Sequence, residues 1–116
     1  MKALQINSEV NLTSGMVIPS GAVVILAEGY ADIKNQKDGL IPSQIATFVY
    51  ANKSAFESGK LSINDIADFN TTISGNLTLE NYETLPCETL LLTTLTDALS
   101  LIYGAENIVE INVTPV

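Results

Sequence analysis

The chain has 116 residues, 13 Asp plus Glu against five Lys, a net charge of −8, and no Arg, His or Trp. Its 47% hydrophobic content is that of a globular chain, and its length fits one domain, residues 1–116, whose core needs no disulfide or metal staple. Without His the commonest catalytic base and zinc ligand are missing, and five Lys without Arg leave no footprint for nucleic acid.

Over residues 2–12, Leu4, Ile6, Val10 and Leu12 alternate with polar residues, which predicts a strand interrupted near Ser8. This start has no apolar run of signal-peptide length. The longest apolar run, Ala22–Ala27, is far short of the roughly 20 residues of a membrane span, so a soluble chain, not exported by the standard route, is expected. Thr13-Ser14-Gly15 and Pro19-Ser20-Gly21 are turn signals. Ala22–Ile33, with Val23, Val24 and Ile25, is the clearest strand, and Gly29 within it suggests a bulge or bend. Residues 34–43 have the composition of an exposed, mobile loop. Gln44–Ala51 carries apolar residues on both faces and predicts a buried central strand.

Asn52–Lys60 predicts a short helical turn capped by Asn52 and ended by Gly59. Leu61–Thr72 is ambiguous between helix and strand. Ser74-Gly75-Asn76 signals a turn, and Leu77–Leu79 a short strand at best. Pro86–Tyr103 is the strongest helix: Pro86 suits the first turn, Glu88 complements the dipole, and Gly104 ends it. Leu91, Leu95, Ala98, Leu99 and Ile102 share its predicted core face, widened by Leu92 and Tyr103. Asn107–Thr114 is a last strand with Val109, Ile111 and Val113 on one side. The expected class is α+β: a mostly antiparallel sheet packed by one main C-terminal helix, about 86–103.

Chemistry-bearing residues are sparse. Cys87, the only cysteine, can form no internal disulfide; a thiol enzyme would need a base that is missing, and a small core residue is the plainer role. Glu28 and Asp32, Asp65 and Asp68, and Glu80, Glu83 and Glu88 lie near one another in sequence. None has calcium-loop or glycosidase spacing, and solvated surface acids are the plainer account. The glycines are too widely spaced for a phosphate cradle. Phe48 and Phe56 are expected in the core, and Tyr30 and Tyr50 on strands that could reach a surface. Asn-x-Ser/Thr triplets at Asn11, Asn52, Asn70, Asn76 and Asn112 would matter only in a secreted eukaryotic chain. No catalytic, cofactor or metal residues are assigned.

A small acidic chain so equipped is expected to work by binding, with edge strands as natural contact points. The stretch VIPSGAVVILAEGYADIKNQKDGLIPSQIATFVYANKSAFESGKLSI combines a turn-led strand over Pro19–Ile33, a strand ending at Val49-Tyr50 and the Ser-Ala-Phe-Glu-Ser-Gly-Lys turn at 54–60. The C-terminal helix then runs into Tyr103-Gly104-Ala105-Glu106-Asn107 and a last strand. With these features the chain resembles small structural proteins of tailed bacteriophages, particularly phages of Bacteroides-type hosts. That resemblance implies a non-enzymatic virion component, such as a head decoration, connector ring, or tail, fibre or baseplate part. It carries over no functional residue.

The expected partners are other protein subunits, a homo-oligomer first, with no nucleic acid, membrane or small-molecule substrate. The expected contact elements are the terminal strands and the 34–43 loop, with Leu4, Ile6, Tyr30, Asp38, Leu40, Tyr50, Ile111 and Val113 as interface candidates. The alternatives are a small bacterial binding or accessory domain, monomeric or dimeric, and a carboxylate- or metal-dependent enzyme that gathers several of the acids named above into one cleft.

Overall fold

A computed structural model describes residues 1–115. Seven strands form: β1 Lys2–Ile6, β2 Val10–Asn11, β3 Val17–Ile18, β4 Ala22–Ala31, β5 Leu40–Tyr50, β6 Thr72–Thr78 and β7 Ile108–Asn112. The helices are α1 Lys53–Glu57, α2 Leu79–Thr84 and α3 Cys87–Tyr103. Five strands pair antiparallel in the order β6-β5-β4-β1-β7, and β2 and β3 form a separate ribbon. The class is α+β, with α3 lying across one sheet face.

Alternation on β5 sets the two faces. Ile41, Ser43, Ile45, Thr47 and Val49 are buried towards α3, whereas Leu40, Pro42, Gln44 and Phe48 are exposed. The two buried hydroxyls remain paired: Ser43 Oγ donates to the Gly75 carbonyl and Thr47 Oγ1 to the Thr71 carbonyl, each at 3.0 Å. The main core joins Leu4, Ile6, Val24, Ile45 and Val49 to Leu92, Leu95 and Leu99 of α3, with Val10 and Ile18 of the ribbon at its margin. On the opposite face Ala3, Val23, Ile25 and Val113 form a smaller cluster, with Tyr50, Phe56 and Ile111 packed against it. Phe56 comes from α1 and meets the Tyr50 ring edge-on at 5.0 Å.

Several local expectations hold. The first strand breaks around Ser8. The Asn52 side chain accepts from the Ala55 N–H at 2.8 Å and caps α1. Gly104, at φ +91°, ends α3. Other expectations are corrected. The bulge in β4 lies between Leu26 and Glu28, with Ala27 the extra residue, and Gly29 stays in register opposite Ile45. Its lack of a side chain serves α3 instead, since a Cβ there would lie 2.7 Å from Leu91 Cδ2.

Residues 34–43 are not a mobile loop. Asp38 and Gly39, at φ +55° and +75°, form a tight two-residue turn clamped by reciprocal Lys37–Leu40 hydrogen bonds of 2.9 and 3.0 Å, and Leu40–Ser43 already belong to β5. Ser74-Gly75-Asn76 is not a turn but the middle of β6, and the unforeseen α2 follows, with Thr78 Oγ1 accepting from the Asn81 N–H at 3.2 Å. Residues 61–71 hold no regular strand or helix and are pinned by bridges from Ile63 to Val49 and Leu12 to Ile66. Among the described residues no helix is long and apolar enough to cross a membrane.

Candidate interaction surface

Among the described residues, the sheet face away from α3 is covered over β1, β7, the first half of β4 and the end of β5. Beyond the β4 bulge it is open: Tyr30 is 61% exposed and Leu40 43%, and Phe48, just before the bulge opposite Ile25, is 46% exposed. The Tyr30 hydroxyl donates to Gln44 Oε1 at 2.8 Å, a cross-strand bond that holds the ring over the open face. Phe48 was expected in the core. It points outward because it lies opposite Ile25 on the face away from α3, at the margin of the second cluster, which buries Ile25 but does not include Phe48.

The two sheet edges differ. β7 is short and carries Glu110, which pairs with Lys2 at 3.5 Å, so a charge guards that edge. β6 reads Thr-Ile-Ser-Gly-Asn-Leu-Thr and has neither charge nor proline. Its register with β5, together with the Thr47 N–H donated to the Thr71 carbonyl, turns the backbone groups of Ile73, Gly75 and Leu77 inward. Those of Thr72, Ser74 and Asn76 point outward and have no backbone partner among the described residues. Beside this edge runs a groove of about 270 Å³ between β6 and α3, lined among others by Ile73, Leu77, Asp97, Ala98 and Leu101. Leu101 is 90% exposed at its rim.

The sequence-derived interface residues separate into three sets. Tyr30, Asp38 and Leu40 are exposed. Leu4, Ile6 and Val113 are corrected: at 1%, 0% and 4% exposure they are core residues of this chain and offer no surface. Leu4 and Ile6 lie under α3 because their strand is internal to the sheet, between β4 and β7. Tyr50 and Ile111 are half-buried against the second cluster. The β6 edge escaped sequence reading because Ser-Gly-Asn has turn chemistry; the only hint was the β-branched and apolar residues on either side of it.

The predicted helix face is rotated. Leu90, Leu92, Leu95 and Leu99 are buried, while Ile102 is 46% exposed. Cys87, expected in the core, is exposed at the start of α3. The carboxylates do not converge, and among the described residues no three His, Cys, Asp or Glu side chains group as a metal site. Asp68 is instead a structural node. Its Oδ2 accepts from the Asn11 N–H at 2.9 Å and the Tyr103 hydroxyl at 3.1 Å, and its Oδ1 from Asn11 Nδ2 at 3.3 Å. Partial burial pulls its pKa upward, but these hydrogen bonds outweigh that and hold it below the usual carboxylate value. Burial, then the Asp68 charge and hydrogen bond, push the Tyr103 phenol well above its usual value. The node ties the 61–71 segment to the ribbon and to the end of α3.

Comparison with protein-family models, with curated proteins and with solved structures found no match.

Proposed function

We propose that this chain is a non-enzymatic assembly subunit, a component of a phage virion such as a head decoration, connector ring or tail or fibre part, which acts through contacts with other protein chains. The observation that carries the reading is the β6 edge: a seven-residue strand with outward N–H and C=O groups, no charge or proline, and no further strand beside it among the described residues. Folded chains usually guard such an edge against pairing, and an unguarded one suits a strand made to receive a partner. The open sheet face with Tyr30, Phe48 and Leu40 adds apolar contact area of the kind protein interfaces use. The resemblance to small phage structural proteins supplies the virion setting.

The test is the mass of the purified protein by light scattering behind a sizing column. A defined symmetric oligomer is expected. A monomer at every concentration up to about 1 mM, the range that weak contacts of roughly 4 kcal/mol would reach, overturns the reading. It would turn attention to a small binding domain that uses the groove beside β6.

A further inference from the structure

We infer that the occupant of the β6 edge is a second copy of this chain, paired antiparallel about a two-fold axis through Gly75. This rests on the assembly reading above and names its partner and register. Three observations converge on it.

The first is the order of residues. Thr72-Ile73-Ser74-Gly75-Asn76-Leu77-Thr78 is a chemical palindrome. Reversed against itself about Gly75, Thr72 faces Thr78 of the other copy, Ile73 faces Leu77, Ser74 faces Asn76 and Gly75 faces Gly75. Threonine pairs and aliphatic pairs are favourable cross-strand neighbours, and a two-fold contact requires this self-complementarity.

The second is hydrogen-bond phase. Thr72, Ser74 and Asn76 point their backbone groups outward. The Gly75-centred register sets Ser74 against Asn76 and Thr72 against Thr78, so outward groups meet outward groups. A shift of one residue in the pairing would set outward groups against inward ones. The Thr78 carbonyl is already committed to the first turn of α2, which leaves roughly six new ladder bonds across the axis.

The third is Gly75 itself. Nothing in its own chain calls for glycine: its φ is not positive, and the nearest atom to an added Cβ is Thr94 Cγ2 at 3.9 Å, an ordinary contact. Glycine inside a strand weakens it and often marks close approach by another backbone. In the proposed pairing Gly75 sits at the non-hydrogen-bonded position on the axis, where opposed strands come nearest.

The same docking brings Ile73 and Leu77 of the second copy to the mouth of the groove under α3, beside Ala98 and the exposed Leu101. The five-stranded sheet of each copy becomes one continuous sheet. The β6 strand carries no charge, so the net −8 of each copy is kept off the pairing line itself.

The experiment uses the full chain and charge complementation. One variant carries Ser74→Lys with Asn76→Lys; the other carries Ser74→Glu with Asn76→Glu. Both side chains are exposed on the open face, so each variant is expected to fold with the wild-type circular dichroism spectrum. In the Gly75 register each variant places like charges opposite one another twice, which raises its dissociation constant roughly 30-fold. An equimolar mixture places Lys opposite Glu at both positions and restores the wild-type mass. Leu101→Lys, at a helix position that is 90% exposed, is a third variant and weakens association without touching the strand.

Dissociation by both charged variants with recovery on mixing supports the inference. A wild-type oligomer that all the variants leave intact overturns it and leaves the assembly reading standing through another surface. Dissociation without recovery on mixing overturns the Gly75 register. A wild-type monomer overturns both.

Discussion

Replacing Gly29 by alanine places a methyl carbon 2.7 Å from Leu91 Cδ2 and 3.2 Å from the Gln44 carbonyl oxygen. The two contacts differ in what can yield. The Leu91 tip can rotate, at some loss of packing against the core it half-covers. The Gln44 oxygen belongs to the β5 backbone, opposite Tyr30, and moves only with the sheet. Overpacking of this kind costs about 1–3 kcal/mol. Against it, alanine recovers roughly 0.5–1 kcal/mol of the backbone entropy that glycine gives up in a strand. The net expectation is a loss of about 1–2 kcal/mol.

In a Leu91→Ala background the shorter contact is gone while the Gln44 contact remains, and the same substitution should cost about 1 kcal/mol less, which is the coupling between the two positions. Urea unfolding of wild type, both single variants and the double variant, followed by far-ultraviolet circular dichroism at one protein concentration, measures it. An equal cost in both backgrounds, or a stabilising Gly29→Ala with Leu91 present, would refute close helix approach as the reason for this glycine.

Other substitutions test other parts of the fold. Leu95→Ala removes a side chain that is fully buried and should cost about 2–5 kcal/mol, whereas Leu101→Ala, at 90% exposure, should stay within about 0.5 kcal/mol in the monomer; the reverse order in urea midpoints would contradict the placement of α3. Asp68 has a folded-state pKa below its ordinary 3.8, so its stabilising contribution is full above that value and is lost as pH falls through the folded-state pKa. Asp68→Asn should therefore cost about 1 kcal/mol near neutral pH and lose less stability than wild type between pH 4 and 2; parallel curves would remove the node. Gly39→Val forces a β-branched residue to φ +75° in the Asp38-Gly39 turn and should cost about 1–2 kcal/mol, read as a lowered urea midpoint. Deleting residues 34–43 takes Leu40–Ser43 out of β5 and the core residue Ile41 with them, so cooperative unfolding should be lost; a sharp transition in that variant would restore the loop reading.

What could be read along the chain was whatever a few neighbouring residues decide. Asn52 and Gly59 bound a helical turn because a side-chain oxygen reaches an N–H three residues on and glycine takes φ +76° just past its end. Gly104 stops α3 for a related backbone reason. The β-branched run Val23–Ile25 and the alternation in β1 and β7 mark strands, and a helix with an apolar stripe beside several strands already implied α+β.

Tertiary structure decided which of these surfaces meets water. Ser74-Gly75-Asn76 has turn chemistry, yet it is a strand because β5 offers it a complete ladder across a long gap in sequence. Phe48 and Val49 are both apolar neighbours, but α3 covers only Val49's side. Leu4, Ile6 and Val113 look like edge residues in sequence and lie in the interior because β1 inserts between β4 and β7 and Val113 folds in beside Ala3. The setting of α3 follows the same rule. Leu90, Leu91 and Leu92 allow several helix faces, and the position of the sheet selects the one with Leu92, Leu95 and Leu99, which leaves Leu101 beside an open edge. Caps, turns and strand propensity are short-range, set by sterics and hydrogen bonds within a few residues. Burial is a property of pairs of elements distant in sequence, so the candidate interface could emerge only once the sheet order was known.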